Sequence, residues 1–187
     1  MKHFAVLVAM LNSCAMGQDI SFVKEDITFR LDKDHFIVDG NYWFANPSDN
    51  EVARLIYYPF PATEARSVDS VDIFDITQGV QPLILNSTDG GFNFVLRIAA
   101  HDTSLCHIAY RQRISGDSAM YILRSTKAWN RPLDYAEYKL IPDESIEVVR
   151  VSYDADKVYN IEGKKIYLWR RISFMPERDF VVHFKVK

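Results

Sequence analysis

One pattern recurs along this chain more than any other: apolar, polar, apolar, polar. Ile27, Phe29 and Leu31 alternate with Thr28, Arg30 and Asp32. Phe36, Val38, Tyr42 and Phe44 alternate with Asp39 and Asn41, and Phe92, Phe94, Leu96 and Ile98 form a third apolar face. A fourth sets Phe180, Val182, Phe184 and Val186 against His183, Lys185 and Lys187. Successive side chains of a strand point to opposite sides, so a period of two marks a strand with one buried face. No long stretch carries the 3.6-residue period of an amphipathic helix. Asp32-Lys33-Asp34, Asn46-Pro47-Ser48-Asp49-Asn50, Asp89-Gly90-Gly91, Ser115-Gly116-Asp117 and Glu162-Gly163 separate the runs, and such residues supply the angles of tight turns. The spacing predicts an all-β, mostly antiparallel β-sandwich of about ten strands. At most one short helix is expected, near 132–139, where Pro132 could take the first helical position. The same residues could instead run straight into a strand ending near Ile141.

The first residues follow a different rule. Lys2 and His3 precede the apolar run Phe4 to Leu11, which is shorter than the roughly 20 residues a bilayer span needs. Residues 1–17 read as a secretory signal peptide, and residues 18–187 as a single β-sandwich domain. Ala15-Met16-Gly17 offers a small-x-small cleavage site. Leu11-Asn12-Ser13-Cys14 resembles a bacterial lipobox, which would place a lipid on Cys14. Either outcome leaves Cys106 as the only free thiol, so the core must hold by packing without an internal disulfide.

Few reactions fit the remaining residues. A net charge of −3, with both signs mixed along the chain, offers no basic stripe to nucleic acid. His35, His101, His107 and His183 form no HxH or HExxH arrangement, so neither metal nor cofactor is expected. Asp69, Asp72, Asp75 and Asp154-Ala155-Asp156 supply carboxylates but lack the glycine and terminal glutamate of an EF-hand loop. Cys106 and His107 are adjacent on a predicted strand and point apart, which makes Cys106 a buried structural thiol. Asp134 with Glu137, or Glu144 with Glu147, could be proposed as the paired acids of a glycoside hydrolase. Nothing in the sequence places either pair across a cleft, and no catalytic residue is assigned.

Aromatic residues give the one positive signal. The stretch from Tyr121 to Pro142 concentrates Trp129, Arg131, Asp134, Tyr135, Glu137 and Tyr138. With Trp43 they form a candidate ligand or partner surface; the alternative is a crossover that uses its aromatics for packing. The combination Tyr121-Ile122-Leu123, Ser125-Thr126, Trp129, Pro132-Leu133, Ala136, Tyr138 and Pro142 resembles uncharacterised bacterial secreted β-sandwich families, and implies an exported domain without assigning a catalytic residue. Gly40-Asn41-Tyr42-Trp43 is similar to the early Gly-x-Trp of lipocalins, with one residue more in the spacing. The expected function is a non-enzymatic binding or assembly role in the bacterial cell envelope, periplasm or exterior, with another envelope protein or a glycan as partner. A membrane contact is expected only through lipid at Cys14. A carbohydrate-binding module and a lipocalin-like carrier of an apolar ligand are the alternatives.

Overall fold

The computed structural model describes residues 20–61, 68–88, 90–114 and 116–187. The predicted signal peptide and Cys14 lie outside them. Among these described residues fourteen strands follow in order: β1 (Ser21–Leu31), β2 (His35–Ala45), β3 (Val52–Pro59), β4 (Val68–Asp75), β5 (Gln81–Pro82), β6 (Leu85–Thr88), β7 (Gly91–Ile98), β8 (Thr103–Arg113), β9 (Ser118–Tyr121), β10 (Leu133–Pro142), β11 (Ile146–Val151), β12 (Lys157–Ile161), β13 (Lys164–Phe174) and β14 (Phe180–Val186). They form an eight-stranded sheet, β12-β13-β10-β1-β2-β8-β4-β5, and two three-stranded sheets, β11-β14-β9 and β3-β7-β6. The protein is thus an all-β sandwich, with more and shorter strands than the periodicity alone suggests.

The four alternating runs become β1, β2, β7 and β14, and their apolar faces meet. Phe29 of β1 stacks on Phe36 of β2 with ring centres 5.3 Å apart and on Phe180 of β14 at 4.6 Å. Trp169 of β13 stands edge-on to Phe180 at 5.0 Å. Tyr58 of β3, in the other small sheet, meets Tyr110 of β8 in the large one. Phe29, Phe36, Phe92, Phe94, Phe180 and Trp169 are all fully buried, so the interior is filled with rings. A carrier of the lipocalin kind needs a closed barrel around a ligand cavity; among the described residues the sheets do not close, and that reading loses its basis. On β14 the apolar face stops at Phe184, and Val186 is 56% exposed.

Two features sharpen the predicted plan, which allowed residues 132–139 to be a short helix or to run into a strand ending near Ile141. The one helical segment among the described residues is a 3-10 turn at Arg124–Trp129, ending on Asn130 with φ 52°, and not a helix at 132–139. Residues 133–142 form β10, which satisfies its backbone between two strands: antiparallel to β13 and parallel to β1. Pro132 stands just before it, where a missing N–H costs no ladder bond. The parallel pair is the second feature. It sets Lys24 beside Tyr135 and Asp26 beside Glu137, residues more than a hundred positions apart.

Candidate functional site

A one-residue bulge decides which side chains of β1 face out. Phe22 pairs with Phe44 and Lys24 with Trp43, so Val23 is the extra residue. Bulges re-aim the side chains that follow them. Here Lys24, Asp26, Thr28 and Arg30 turn to the outer face, while Glu25, Ile27, Phe29 and Leu31 turn to the core.

On the outer face the registers build a row across four strands: Trp43 (β2), Lys24 (β1), Tyr135 (β10) and Ile172 (β13). The Lys24 ammonium lies 4.1 Å from the centre of the Trp43 ring and 5.5 Å from that of Tyr135, held by the negative faces of both rings. Ile172 closes the row and is 80% exposed. The next row is Asn41, Asp26, Glu137 and Arg170. Glu137 accepts hydrogen bonds from Tyr135 Oη at 2.8 Å and from Arg170 Nε at 2.7 Å, and pairs with Lys139 Nζ at 2.7 Å. Desolvation raises its pKa, but the hydrogen bonds from Lys139, Arg170 and Tyr135 outweigh it and bring it down to about 2. The carboxylate is therefore a fixed negative charge at neutral pH and has no proton to give as a general acid. Asp134 lies away from it, exposed and paired with Arg131, so the two do not form a hydrolytic acid pair.

The seven residues expected to form one surface are divided by the fold. Trp43, Tyr135 and Glu137 share the outer face. Arg131 and Asp134 make an ion pair just before and at the start of β10. Trp129 packs on the core side, half-buried, its ring 5.9 Å from Phe22 and 5.6 Å from Phe44, with Arg54 over it at 5.3 Å. Tyr138 is buried and donates its hydroxyl to Glu25. The outer face also holds Lys24, Asp26, Lys139 and Arg170, which sequence reasoning did not single out. Their polar positions in the alternation give their face, but only the strand order gives their neighbours.

Glu25 was missed for a different reason. It occupies the next inward position before Ile27, Phe29 and Leu31, and a charge-bearing residue on an apolar face is itself a signal. It is 1% exposed. Tyr138 donates to one of its oxygens and Tyr121 to the other at 3.4 Å. The Tyr121 hydroxyl bonds that of Tyr42 at 3.2 Å, and Tyr42 bonds Tyr58 at 2.8 Å. Burial raises the Glu25 pKa to about 7, against the lowering effect of Tyr138 and Tyr121. Cys106 is also buried, its thiol pushed up to about 12 mainly by burial, while His107 faces out to Asn41 at 3.1 Å. No three metal-ligating side chains converge among the described residues.

Two open clefts lie elsewhere. One of about 220 Å³ sits between the β4–β5 and β7–β8 connections, lined by Asp75, Thr77, Arg97, Asp102 and Ser104. Another of about 310 Å³ lies by β11, lined by Glu144, Glu147, Lys164, Lys165 and Lys187. Glu144 and Glu147 thus share a cleft with three lysines.

No protein-family model and no curated protein matches the chain. Solved structures do. The chain is similar to a "putative nutrient binding protein" from Legionella pneumophila, at 13% identity and TM-score 0.71, over 89% of this chain and 67% of that one. It is also similar to an M1 zinc metallopeptidase from Deinococcus radiodurans, at 10% identity and TM-score 0.51, over 89% of this chain and 43% of the peptidase. A two-domain M1 zinc metallopeptidase solved with L-arginine gives 12% identity and TM-score 0.50, over 88% of this chain and 42% of that one. These likenesses show the fold alone. The chain spans less than half of each peptidase, and its sequence has no HExxH, an arrangement that holds zinc in metalloproteases.

Proposed function

We propose that this chain is a non-enzymatic binding protein of the bacterial cell envelope, exported by its N-terminal segment, and that it engages another envelope component through the outer face of its eight-stranded sheet. The observation that supports this most is the row Trp43, Lys24, Tyr135 and Ile172. It sets two aromatic rings, a cation and an isoleucine 80% exposed on neighbouring strands. Aromatic anchors with a few fixed polar groups are what binding surfaces concentrate. Beneath the row, Glu137 is immobilised by three partners, so the polar groups are oriented before any ligand arrives. That lowers the ordering cost of binding. A fold shared with a protein described as nutrient-binding agrees with this reading.

The test is a panel of envelope polysaccharides, neutral and acidic, probed with the native protein and with Trp43→Ala and Tyr135→Ala. Retention of at least one polysaccharide by the native chain, weakened about tenfold or more by each substitution, is the expected result. Binding that ignores both substitutions would remove the outer face from the proposal; no retention on any polysaccharide would leave a protein partner as its only ligand class. Fractionation of expressing cells, with Cys14→Ser alongside, reports export separately. A chain kept in the cytoplasm would overturn that part.

A further inference from the structure

The Glu25 cluster is more than a satisfied polar group, because of what it joins. Glu25, Tyr42 and Tyr138 belong to β1, β2 and β10 of the large sheet, Tyr121 to β9 of one small sheet and Tyr58 to β3 of the other. The backbone ladders of the three sheets are separate. The chain of hydroxyls from Glu25 through Tyr121 and Tyr42 to Tyr58 therefore runs across both interfaces of the sandwich. We propose that Glu25 and these tyrosines form a protonation-operated clasp, which ties the two small sheets to the large one while the carboxyl is neutral and loosens when it ionises.

The composition of the cluster gives the direction. The groups acting on Glu25 and on its partners are Tyr138 from β10, Tyr121 from β9, Tyr42 from β2, Tyr58 from β3, Tyr110 from β8 and Tyr153 before β12. All are acids, and among the described residues no lysine, arginine or histidine acts on its carboxyl. An ionised Glu25 has only hydroxyl dipoles to replace the water it lost, and a buried carboxylate without a cation favours any opening that rehydrates it. A neutral carboxyl can instead donate into the chain, reversing the direction in which Tyr121, Tyr42 and Tyr58 hand on their hydrogen bonds. Every hydroxyl both donates and accepts, so the chain accommodates that reversal without moving a ring.

The consequence is measurable. With Glu25 titrating near 7 when closed and at the ordinary 4.5 when open, the opening equilibrium rises about 30-fold between roughly pH 5.5 and 8.5. Native-state amide hydrogen exchange, corrected for intrinsic rates, reads this strand by strand. Protection is expected to fall by that factor in β9, β14, β3 and β7 of the native chain, with a smaller loss in β2 and β8. Glu25→Gln, which keeps the shape and both hydrogen-bonding roles but cannot ionise, is expected to abolish the pH dependence. An equal pH dependence in Glu25→Gln, or a loss spread evenly over all strands, overturns the clasp. If the variant does not fold, carboxyl 13C NMR of the native protein decides: titration of Glu25 near 4.5 refutes the proposal and titration near 7 supports it.

Discussion

Gly40 stands in the middle of β2, where a glycine weakens a strand and packs nothing. Its reason is Tyr42, two residues on and on the same face. A Cβ added to Gly40 would lie 2.6 Å from Tyr42 Oη, 2.7 Å from Cε2 and 2.8 Å from Cζ. Comfortable contact is about 3.5–4.0 Å, so Gly40→Ala must push the ring away by about 1 Å. The ring has no room to leave. It stands edge-on to Tyr58 at 5.8 Å and against Phe22 at 6.1 Å. A shift of that size also stretches its hydroxyl contacts, now 2.8 Å to Tyr58 and 3.2 Å to Tyr121, beyond useful length. Overpacking costs about 1–3 kcal/mol, and each weakened hydrogen bond adds about 1 kcal/mol. Replacing a glycine returns about 0.4–1 kcal/mol through the unfolded chain. The net expectation is a loss of about 2–4.5 kcal/mol, or roughly 5–15 °C in melting temperature for a chain of this size. Urea denaturation at pH 6 measures it. The decisive control is the double-mutant cycle with Tyr42→Ala. There Gly40→Ala should be neutral or stabilising, giving a coupling of about 2–5 kcal/mol. A neutral Gly40→Ala in the native background, or the same loss after Tyr42 is removed, would refute the steric argument.

Glu137→Gln should lower stability at pH 6 by about 1–2 kcal/mol, less than the full linkage value because its partner Arg170 is 61% exposed. Since the folded pKa lies below the ordinary one, that contribution is present above about pH 4.5 and disappears toward pH 2, so urea midpoints of the two proteins should converge on acidification. In a Cys14→Ser background, Cys106 should resist a thiol reagent at pH 8 until denaturant is added, because its thiol is buried and pushed up to about 12; rapid labelling of the folded chain would contradict this. A Cβ on Gly91 would lie 2.1 Å from the Tyr58 carbonyl oxygen. Gly91→Ala should therefore cost at least about 2 kcal/mol, read by thermal melting, and a wild-type melting temperature would show that β3 and β7 can part without cost.

Period-two alternation carries only part of this architecture. It told inside from outside on β1, β2, β7 and most of β14, because burial on one face leaves its mark at every second residue. It could not tell neighbours. Nothing local to Lys24 announces Tyr135, and nothing local to Tyr135 announces Arg170; those contacts exist because β10 is inserted between β1 and β13. Density along the sequence was a poor guide to the site for the same reason. Residues from Trp129 to Tyr138 are close in the chain, but alternation sends Tyr135 and Glu137 to one face and Tyr138 to the other, while Trp129 belongs to the preceding turn and packs against the core. Short strands such as β5 and β9 escaped notice because two to four residues are too few to display a period.

The Val23 bulge shows how one local irregularity joins the two faces. Before it, Phe22 points inward to meet Phe44. Without an extra residue, strict alternation would send Lys24 into the core opposite Tyr42 and Glu25 out opposite Asn41. The inward set Ile27, Phe29 and Leu31 would then face solvent, which costs about 1.5–3 kcal/mol for each large side chain exposed. The bulge is therefore enforced by the core, and the outer row and the buried carboxyl are both its consequences. Lys24 reaches the Trp43 and Tyr135 rings because Glu25, its neighbour, has turned under the sheet to meet Tyr138 and Tyr121. Glu25 accordingly stands one residue from the aromatic row, on the same strand and with no loop between them.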